Sequence, residues 1–139
     1  QRGLGDVYKR QNKDLAEDFD YRCKQAGQLA SKMRYLSAPW VGILQDGAWL
    51  HYAQHANRCA RLLAELVSDV PGVSLMFPVQ ANGVFLQMPE PALQTLRDKG
   101  WRFYTFIGAG GARFMCSWDI EEQRVRELAS DIRAVVASA

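Results

Sequence analysis

Amphipathic helices account for most of the hydrophobic pattern along this chain. Apolar residues recur at steps of three and four, the spacing that places them on one face of a helix, over residues 14–36, 46–68, 91–99 and 120–137. We predict the first stretch as one helix despite Gly27, with a break and a new helical start at Ser37 and Pro39. Pro71 ends the second stretch, and Asp119 is the predicted cap of the last.

Between the helices the period changes to two. Val73, Leu75 and Phe77 alternate with Ser74 and Met76, which predicts a strand, and short apolar runs over residues 84–88, 102–106 and 112–118 predict three more. Helices and strands in this order are typical of an α+β fold. We predict a mostly antiparallel sheet of about four strands with helices on one face, preceded by long helices.

The charge and cysteine content narrow the class of protein. The 17 basic and 15 acidic residues are dispersed, and a net charge of +2 does not indicate binding to nucleic acid or to an anionic membrane. No apolar run in the sequence is long enough to cross a bilayer. The three cysteines, Cys23, Cys59 and Cys116, are odd in number and widely spaced. This argues against a disulfide framework or a zinc site and favours a cytoplasmic protein.

The first eleven residues, 1–11, show no clear period and differ from the rest of the chain. Their sequence, QRGLGDVYKRQ, resembles translated sequencing-adapter sequence, and we leave it out of the fold prediction. The alternative is an ordinary flexible terminus. On the first interpretation, we expect that the chain is truncated and that its native N-terminal part is missing.

The familiar catalytic and metal-binding patterns are not found in this sequence. His51 and His55 stand four apart on a predicted helix, a spacing that lets two imidazoles share a metal. They lack the intervening glutamate of a zincin and a third ligand, so we interpret them as structural and predict no metal site. Gly108-Ala109-Gly110-Gly111 is not a dinucleotide fingerprint, because a strand rather than a helix follows it.

Arg113 is the first candidate binding residue. It follows the turn Gly108–Gly111, whose backbone amides can face an anion, at the head of a predicted strand. A guanidinium binds a carboxylate through two parallel hydrogen bonds. The pattern alone leaves open whether Arg113 is such a receptor or a solvated residue. For the second candidate, the pair Lys32 and Arg34, the pattern alone favours a solvated helix face over a phosphate site.

Two long segments, residues 16–34 and 100–119, resemble the C-terminal part of low-specificity L-threonine aldolases. These are pyridoxal-phosphate enzymes of the aspartate-aminotransferase fold (fold type I), and the resemblance extends from Asn12 to the C-terminus. It implies cleavage of L-threonine or L-allo-threonine to glycine and acetaldehyde, with pyridoxal phosphate as the electron sink. It also implies an amino-acid substrate and a homo-oligomer, either a dimer or a tetramer.

The resemblance further implies roles for individual residues. Arg113 matches the family's arginine that binds the substrate carboxylate. Arg34 matches an arginine that reaches the cofactor phosphate of the neighbouring subunit, and both Lys32 and Lys24 compete for the match to a lysine with the same role. The family's Schiff-base lysine lies in a Thr-Lys-Asn-Gly-like motif that this sequence lacks. We therefore predict no catalytic residue here and no activity for the chain alone.

The domain organisation follows from the same resemblance. We expect residues 12–50 to be helices from the end of the large domain and the interdomain region, and residues 51–139 to be the small C-terminal domain. The alternative function is a free-standing α+β module that binds a carboxylate or a partner without catalysis.

Overall fold

The computed structural model describes residues 17–28, 30–105 and 111–138. The helices within these ranges are α1 (Phe19–Gln25), α2 (Met33–Leu44), α3 (Ala48–Val67), α4 (Glu90–Asp98) and α5 (Glu122–Ala137), and the strands are β1 (Ser74–Leu75), β2 (Gly83–Gln87) and β3 (Gly111–Met115). The chain forms two compact units, the first ending at Gln45 and the second beginning at Asp46. The predicted boundary between residues 50 and 51 stays a prediction, and the tail of residues 1–11 lies outside the described residues.

The helices of the first unit are interrupted at a different place from the one that the sequence predicts. Gly27 has φ of +67°, a left-handed conformation that glycine adopts without steric cost, and it ends α1. The amide of Gln28 then donates to the carbonyl of Cys23 at 2.8 Å, which closes the helix end. The prediction of one helix through Gly27 is therefore wrong.

The predicted break at Ser37 and Pro39 is also wrong. Pro39 lies inside α2, where its ring nitrogen cannot donate the usual helical hydrogen bond. Ser37 does not cap a helix, because its hydroxyl donates to the carbonyl of Arg34 at 3.3 Å within α2. The helix continues past a proline at its centre and leaves its large apolar side chains, Trp40 among them, exposed.

The second unit contains a three-stranded antiparallel sheet in the order β1-β2-β3. In the register of β2 and β3, Val84 lies opposite Phe114 and Phe85 lies opposite Arg113. The predicted strand over residues 102–106 contributes a single antiparallel bridge, from Tyr104 to Arg113, and Phe106 lies outside the described residues. The sheet is thus antiparallel as predicted, with three strands and one bridge in the described part.

Side chains alternate between the two faces of the sheet. Val84, Leu86 and Phe114 are buried against the helices, while Phe85 and Arg113 lie on the opposite face and are half-buried. β2 packs against α3, and α5 packs against both α3 and α4. The core therefore lies on one side of the sheet, and Arg113 lies on the other.

The two long helices of this unit match their predictions. α3 lies within residues 46–68 and buries Ala56, Cys59, Ala60, Leu63, Ala64 and Val67. α5 begins at Glu122 with Glu121 as its N-cap residue. The predicted cap, Asp119, instead accepts a hydrogen bond from the hydroxyl of Ser117 at 2.7 Å. Among the described helices, none is both long and apolar enough to cross a membrane.

Candidate functional site

Arg113 is held in place by both of its neighbouring segments. It is the third residue of β3, between the buried side chains of Ala112 and Phe114. On one side it pairs with Phe85 of β2. On the other side its amide donates to the carbonyl of Tyr104 at 2.8 Å, and its carbonyl accepts from the amide of Tyr104 at 3.3 Å. Both backbone hydrogen bonds of Arg113 therefore go to Tyr104, and Phe85 faces it as a non-hydrogen-bonded partner.

The guanidinium of Arg113 lies over the ring of Tyr104. Its Cζ atom lies 5.0 Å from the centroid of the Tyr104 ring, within the range of a cation–π contact. The Nε atom of Arg113 is buried. Phe85, directly opposite Arg113 in the register, packs edge-to-face against Phe77 with ring centroids 5.5 Å apart. We call Tyr104, Arg113, Phe85 and Phe77 the cross-strand row.

An open pocket of about 370 Å³ adjoins the cross-strand row. It is lined by Phe77, Pro78, Gln80, Ala81, Asn82, Gly83, Phe85, Arg113 and Met115. Of these lining residues, Arg113 carries the one charged group. An anion that enters the pocket would meet one cation in mostly apolar surroundings, where the attraction is less screened than in bulk water.

Two hydrogen bonds join Asn82, which lines this pocket, to Cys116. The side-chain amide of Asn82 donates to the carbonyl of Cys116 at 2.8 Å. The amide of Cys116 donates back to the carbonyl of Asn82 at 2.9 Å. These bonds extend the pairing of β2 and β3 beyond the strand ends and fix the entry to β2. The predicted contribution of the amides of Gly108 to Gly110 lies outside the described residues.

The segment that carries Tyr104 is anchored through Trp101. The indole N–H of Trp101 donates to Oδ2 of Asp131 at 2.7 Å, and Nζ of Lys99 donates to Oδ1 of the same carboxylate at 2.8 Å. The Arg124 guanidinium lies 4.0 Å from the centroid of the Trp101 ring. The start of the bridge segment is thus tied to α5 by two hydrogen bonds and a cation–π contact.

These hydrogen bonds make the contribution of Asp131 to stability depend on pH. The bond from Lys99, followed by the bond from Trp101, lowers the pKa of Asp131 below its ordinary value of 3.8. Because the folded-state pKa is depressed, the stabilisation is present above pH 3.8 and is lost as pH falls through the folded-state pKa.

We expect Asp131→Asn to unfold at a lower urea concentration than the wild type at pH 7. The difference between their unfolding midpoints should be smaller at pH 3. In a Lys99→Met background, the difference in midpoint caused by Asp131→Asn should also be smaller. A difference in midpoint that is the same at pH 7 and pH 3 would contradict the assignment.

The second group of predicted residues lies in the first unit. Arg34 is the second residue of α2, and Lys32 is the N-cap residue of that helix. Lys24 lies in the last turn of a different helix, α1. All three side chains are exposed. The structure therefore places Lys32 and Arg34 at one helix end and Lys24 at another.

The two histidines have separate surroundings. The Nε2 atom of His55 lies 2.6 Å from the carbonyl oxygen of Ile120 and 3.6 Å from Sγ of Cys59, which ties α3 to the approach to α5. His51 packs edge-to-face against Tyr52, with ring centroids 6.0 Å apart. Within residues 17–28, 30–105 and 111–138, no three histidine, cysteine or acidic side chains form a group that could hold a metal ion.

The buried cysteines are poor nucleophiles. Burial raises the pKa of the Cys116 thiol to about 11, and burial likewise raises the pKa of Cys59. A thiol with a raised pKa carries little thiolate at neutral pH. Cys59 and Cys116 are small residues of the buried core.

Tyr104, Phe85 and Asn82 are the members of the site that the sequence did not single out. Their positions around Arg113 depend on which residues face each other across the strands. The apolar runs over residues 84–88 and 102–106 predict strands but not their register. The signal that could have found Tyr104 is its aromatic side chain on a segment predicted to pair close to Arg113.

Two curated relatives match this chain over 127 residues, which is 91% of its length. Both are named low specificity L-threonine aldolase. The protein from Pseudomonas sp. strain NCIMB 10558 is 79% identical, and the protein from Pseudomonas aeruginosa is 80% identical. The chain spans 37% of the length of these curated relatives. No protein-family model matches it.

Solved structures resemble this chain in fold. The threonine aldolase of Leishmania major matches with a TM-score of 0.60 at 20% identity, over 68% of this chain and 28% of that one. The cystine C-S lyase C-DES, solved with its reaction product cysteine persulfide, matches with a TM-score of 0.51 at 17% identity, over 58% of this chain and 23% of that one. The predicted α+β fold is confirmed.

Proposed function

We propose that this chain belongs to the low specificity L-threonine aldolase family and contributes the small C-terminal domain, with the helices that precede it, to a pyridoxal-phosphate-dependent aldolase. The proposed enzyme cleaves L-threonine or L-allo-threonine to glycine and acetaldehyde in the cytoplasm. The observation that carries the proposal is the identity of 79–80% over 127 residues to two enzymes of this name. That identity favours the aldolase over a free-standing binding module.

In this proposal Arg113 binds the carboxylate of the amino-acid substrate. It is a cation in a mostly apolar pocket, its backbone is hydrogen-bonded to Tyr104, and Phe85 lies opposite it on β2. A fixed guanidinium that makes two parallel hydrogen bonds to a carboxylate sets the orientation of the substrate as well as its affinity. The contribution of this residue is binding and orientation.

The chain also offers a donor set that fits the phosphate of the cofactor. Arg34 and Lys32 lie at the N-terminus of α2, whose first turn contains no acidic residue. Cationic side chains and outward-pointing backbone amides together attract a phosphate. When bound, pyridoxal phosphate supplies a sink for the electron pair left as the Cα–Cβ bond breaks. Arg34 and Lys32 would hold the phosphate of the neighbouring subunit's cofactor.

The placement of the lysines gives a prediction about cofactor affinity. Lys32 shares the N-terminus of α2 with Arg34, whereas Lys24 lies at the C-terminal end of α1 with Asp20 on the same helix. In the intact enzyme, we expect Lys32→Ala to raise the dissociation constant of pyridoxal phosphate about tenfold, because a charge-assisted contact is lost. Lys24→Ala is the matched control and should raise it less. Absorbance titration measures both, and an equal or larger effect of Lys24→Ala would reverse the assignment.

Exposed apolar residues in the first unit support an assembly larger than this chain. Tyr35 is 71% exposed and Trp40 is 68% exposed, and Met33, Leu36, Val41 and Leu44 of the same helix are also exposed. A helix that displays this much apolar surface is typical of an interface. We assign this surface of α2 to contacts with the rest of the enzyme within a homo-oligomer.

A chimaera tests the proposed function directly. The matching segment of the Pseudomonas aeruginosa relative is replaced by the 127 aligned residues of this chain, and the product is called the chimaeric enzyme. We expect it to release acetaldehyde from L-threonine in a reaction that requires pyridoxal phosphate, measured by reduction of the aldehyde in a coupled assay. The 139-residue chain alone should release none and should retain no cofactor absorbance after dialysis. A chimaera that folds and retains cofactor but is inactive would contradict the proposal.

A further inference from the structure

Tyr104 is a large aromatic residue whose position core packing does not explain. Its side chain is 65% exposed, and its backbone makes the isolated bridge to Arg113. Leaving an aromatic ring in water forgoes the stabilisation that burial would provide. The described contact of the ring is with the guanidinium of Arg113, at 5.0 Å.

We propose that Tyr104 is a positioning residue that orients the guanidinium of Arg113 for the substrate carboxylate, an inference that rests on the function proposed above. The bridge to Arg113 places the two side chains on the same face of the sheet. The Tyr104 ring then covers one side of the cation. The residue acts on the substrate through Arg113 rather than by contact with the reacting atoms.

The physical reason lies in the geometry of a bidentate contact. A guanidinium offers two parallel N–H groups to a carboxylate only when its plane is turned toward that carboxylate. The Nε atom of Arg113 is buried, so the inner end of the guanidinium lies among protein atoms rather than in solvent. A ring lying against the guanidinium restricts rotation of the plane, so less conformational freedom is lost when the carboxylate binds. Phe85 lies opposite Arg113 on β2 and lines the same pocket.

Two other cation–π pairs in the described part of this unit have a different setting. Arg97 lies 5.0 Å from the Phe103 ring, but that ring packs against Phe114 at 4.8 Å and belongs to the edge of the core. Trp101 under Arg124 is likewise partly buried and bonded to Asp131. In both pairs core packing fixes the ring, and the arginine covers it. At Tyr104 the relation is reversed, because the ring is exposed and the arginine is the half-buried partner.

Steady-state kinetics of the chimaeric enzyme test this role. We expect Tyr104→Ala to raise KM for L-threonine about two- to fivefold with kcat unchanged, the range of an exposed cation–π contact. The dissociation constant of the product glycine, which keeps the carboxylate, should rise by the same factor. Tyr104→Phe retains the ring and should restore both values. Thr105→Ala is the control for a change in the same segment, since its hydroxyl accepts from Arg97 rather than Arg113.

The outcomes separate this inference from the function on which it rests. If Arg113→Lys lowers kcat/KM while Tyr104→Ala changes neither KM nor glycine affinity, the positioning role is overturned and the proposed function stands. Equal losses in Tyr104→Ala and Tyr104→Phe would also overturn it, because the hydroxyl rather than the ring would then be responsible. If Arg113→Lys itself has no effect, carboxylate binding at this site is refuted, and the role of Tyr104 with it.

Discussion

Arg113→Lys lowers kcat/KM for L-threonine about ten- to a hundredfold in the chimaeric enzyme, because lysine cannot make two parallel hydrogen bonds to a carboxylate. The ammonium keeps the charge of Arg113, so the loss reports geometry rather than net electrostatics. We expect most of it in KM, since the carboxylate is bound in the ground state as well as in the transition state. The measurement is the initial rate of acetaldehyde release over a range of L-threonine concentrations.

The control for this substitution is Arg126→Lys. Arg126 lies on α5 and makes a peripheral contact of 4.0 Å with Glu122, so the same chemical change there should leave kcat/KM unaltered. A kcat/KM for Arg113→Lys equal to that of Arg126→Lys would exclude Arg113 as the carboxylate receptor. We do not expect Arg113→Lys to bind substrate amides, which lack the carboxylate charge, and the test does not depend on such binding.

Leu86→Ala destabilises the chain by about 2–5 kcal/mol, the range for a leucine truncated in a closely packed core. Leu86 is fully buried in β2, with Leu75 opposite it on β1 and Ala112 opposite it on β3. The side chain of Ala112 is too small to fill the cavity that Leu86→Ala would leave. Urea unfolding of the 139-residue chain measures the change in the free energy of unfolding.

Two further variants make this prediction testable even if Leu86→Ala does not fold. Leu86→Val removes less volume and should be destabilised by a smaller amount. Leu50→Ala makes the same chemical change on α3, where Leu50 is 46% exposed, and should change the free energy of unfolding by under about 1 kcal/mol. Equal effects of Leu86→Ala and Leu50→Ala would contradict the location of the core.

Long elements with a one-sided apolar pattern could be predicted from sequence, and local exceptions could not. α3 and α5 each bury a continuous stripe, so their period is strong enough to identify them. The predictions at Gly27 and Pro39 are wrong because a glycine or a proline in a helical pattern can either end the helix or be accommodated within it. Gly27 adopts a left-handed conformation and ends α1, whereas Pro39 is accommodated inside α2. The choice depends on hydrogen bonds such as that from Gln28 to Cys23, which a periodicity cannot specify.

The candidate site shows the same division. The sequence pattern identifies Arg113 as a candidate but leaves open whether it binds an anion or is solvated. The family resemblance assigns it a carboxylate-binding role, which stays a prediction. The partners of Arg113 could not be predicted, because Tyr104 and Phe85 reach it only through the register of three segments. Between Lys24 and Lys32, the sequence left the match open. The position of Lys32 at the N-terminus of α2 now favours Lys32.

The pairing of β2 with β3 also has a consequence for the rate at which this unit folds. Val84 and Phe114 meet across the sheet although the whole of α4 lies between them in the chain. Closing such a loop costs chain entropy before the contacts that repay it can form, so sheets with distant partners fold more slowly than helical bundles. α4 contains its own hydrogen bonds and can form first, which shortens the loop that must close. The cross-strand row, which needs β2, β3 and the bridge segment together, is then among the last parts of the unit to assemble.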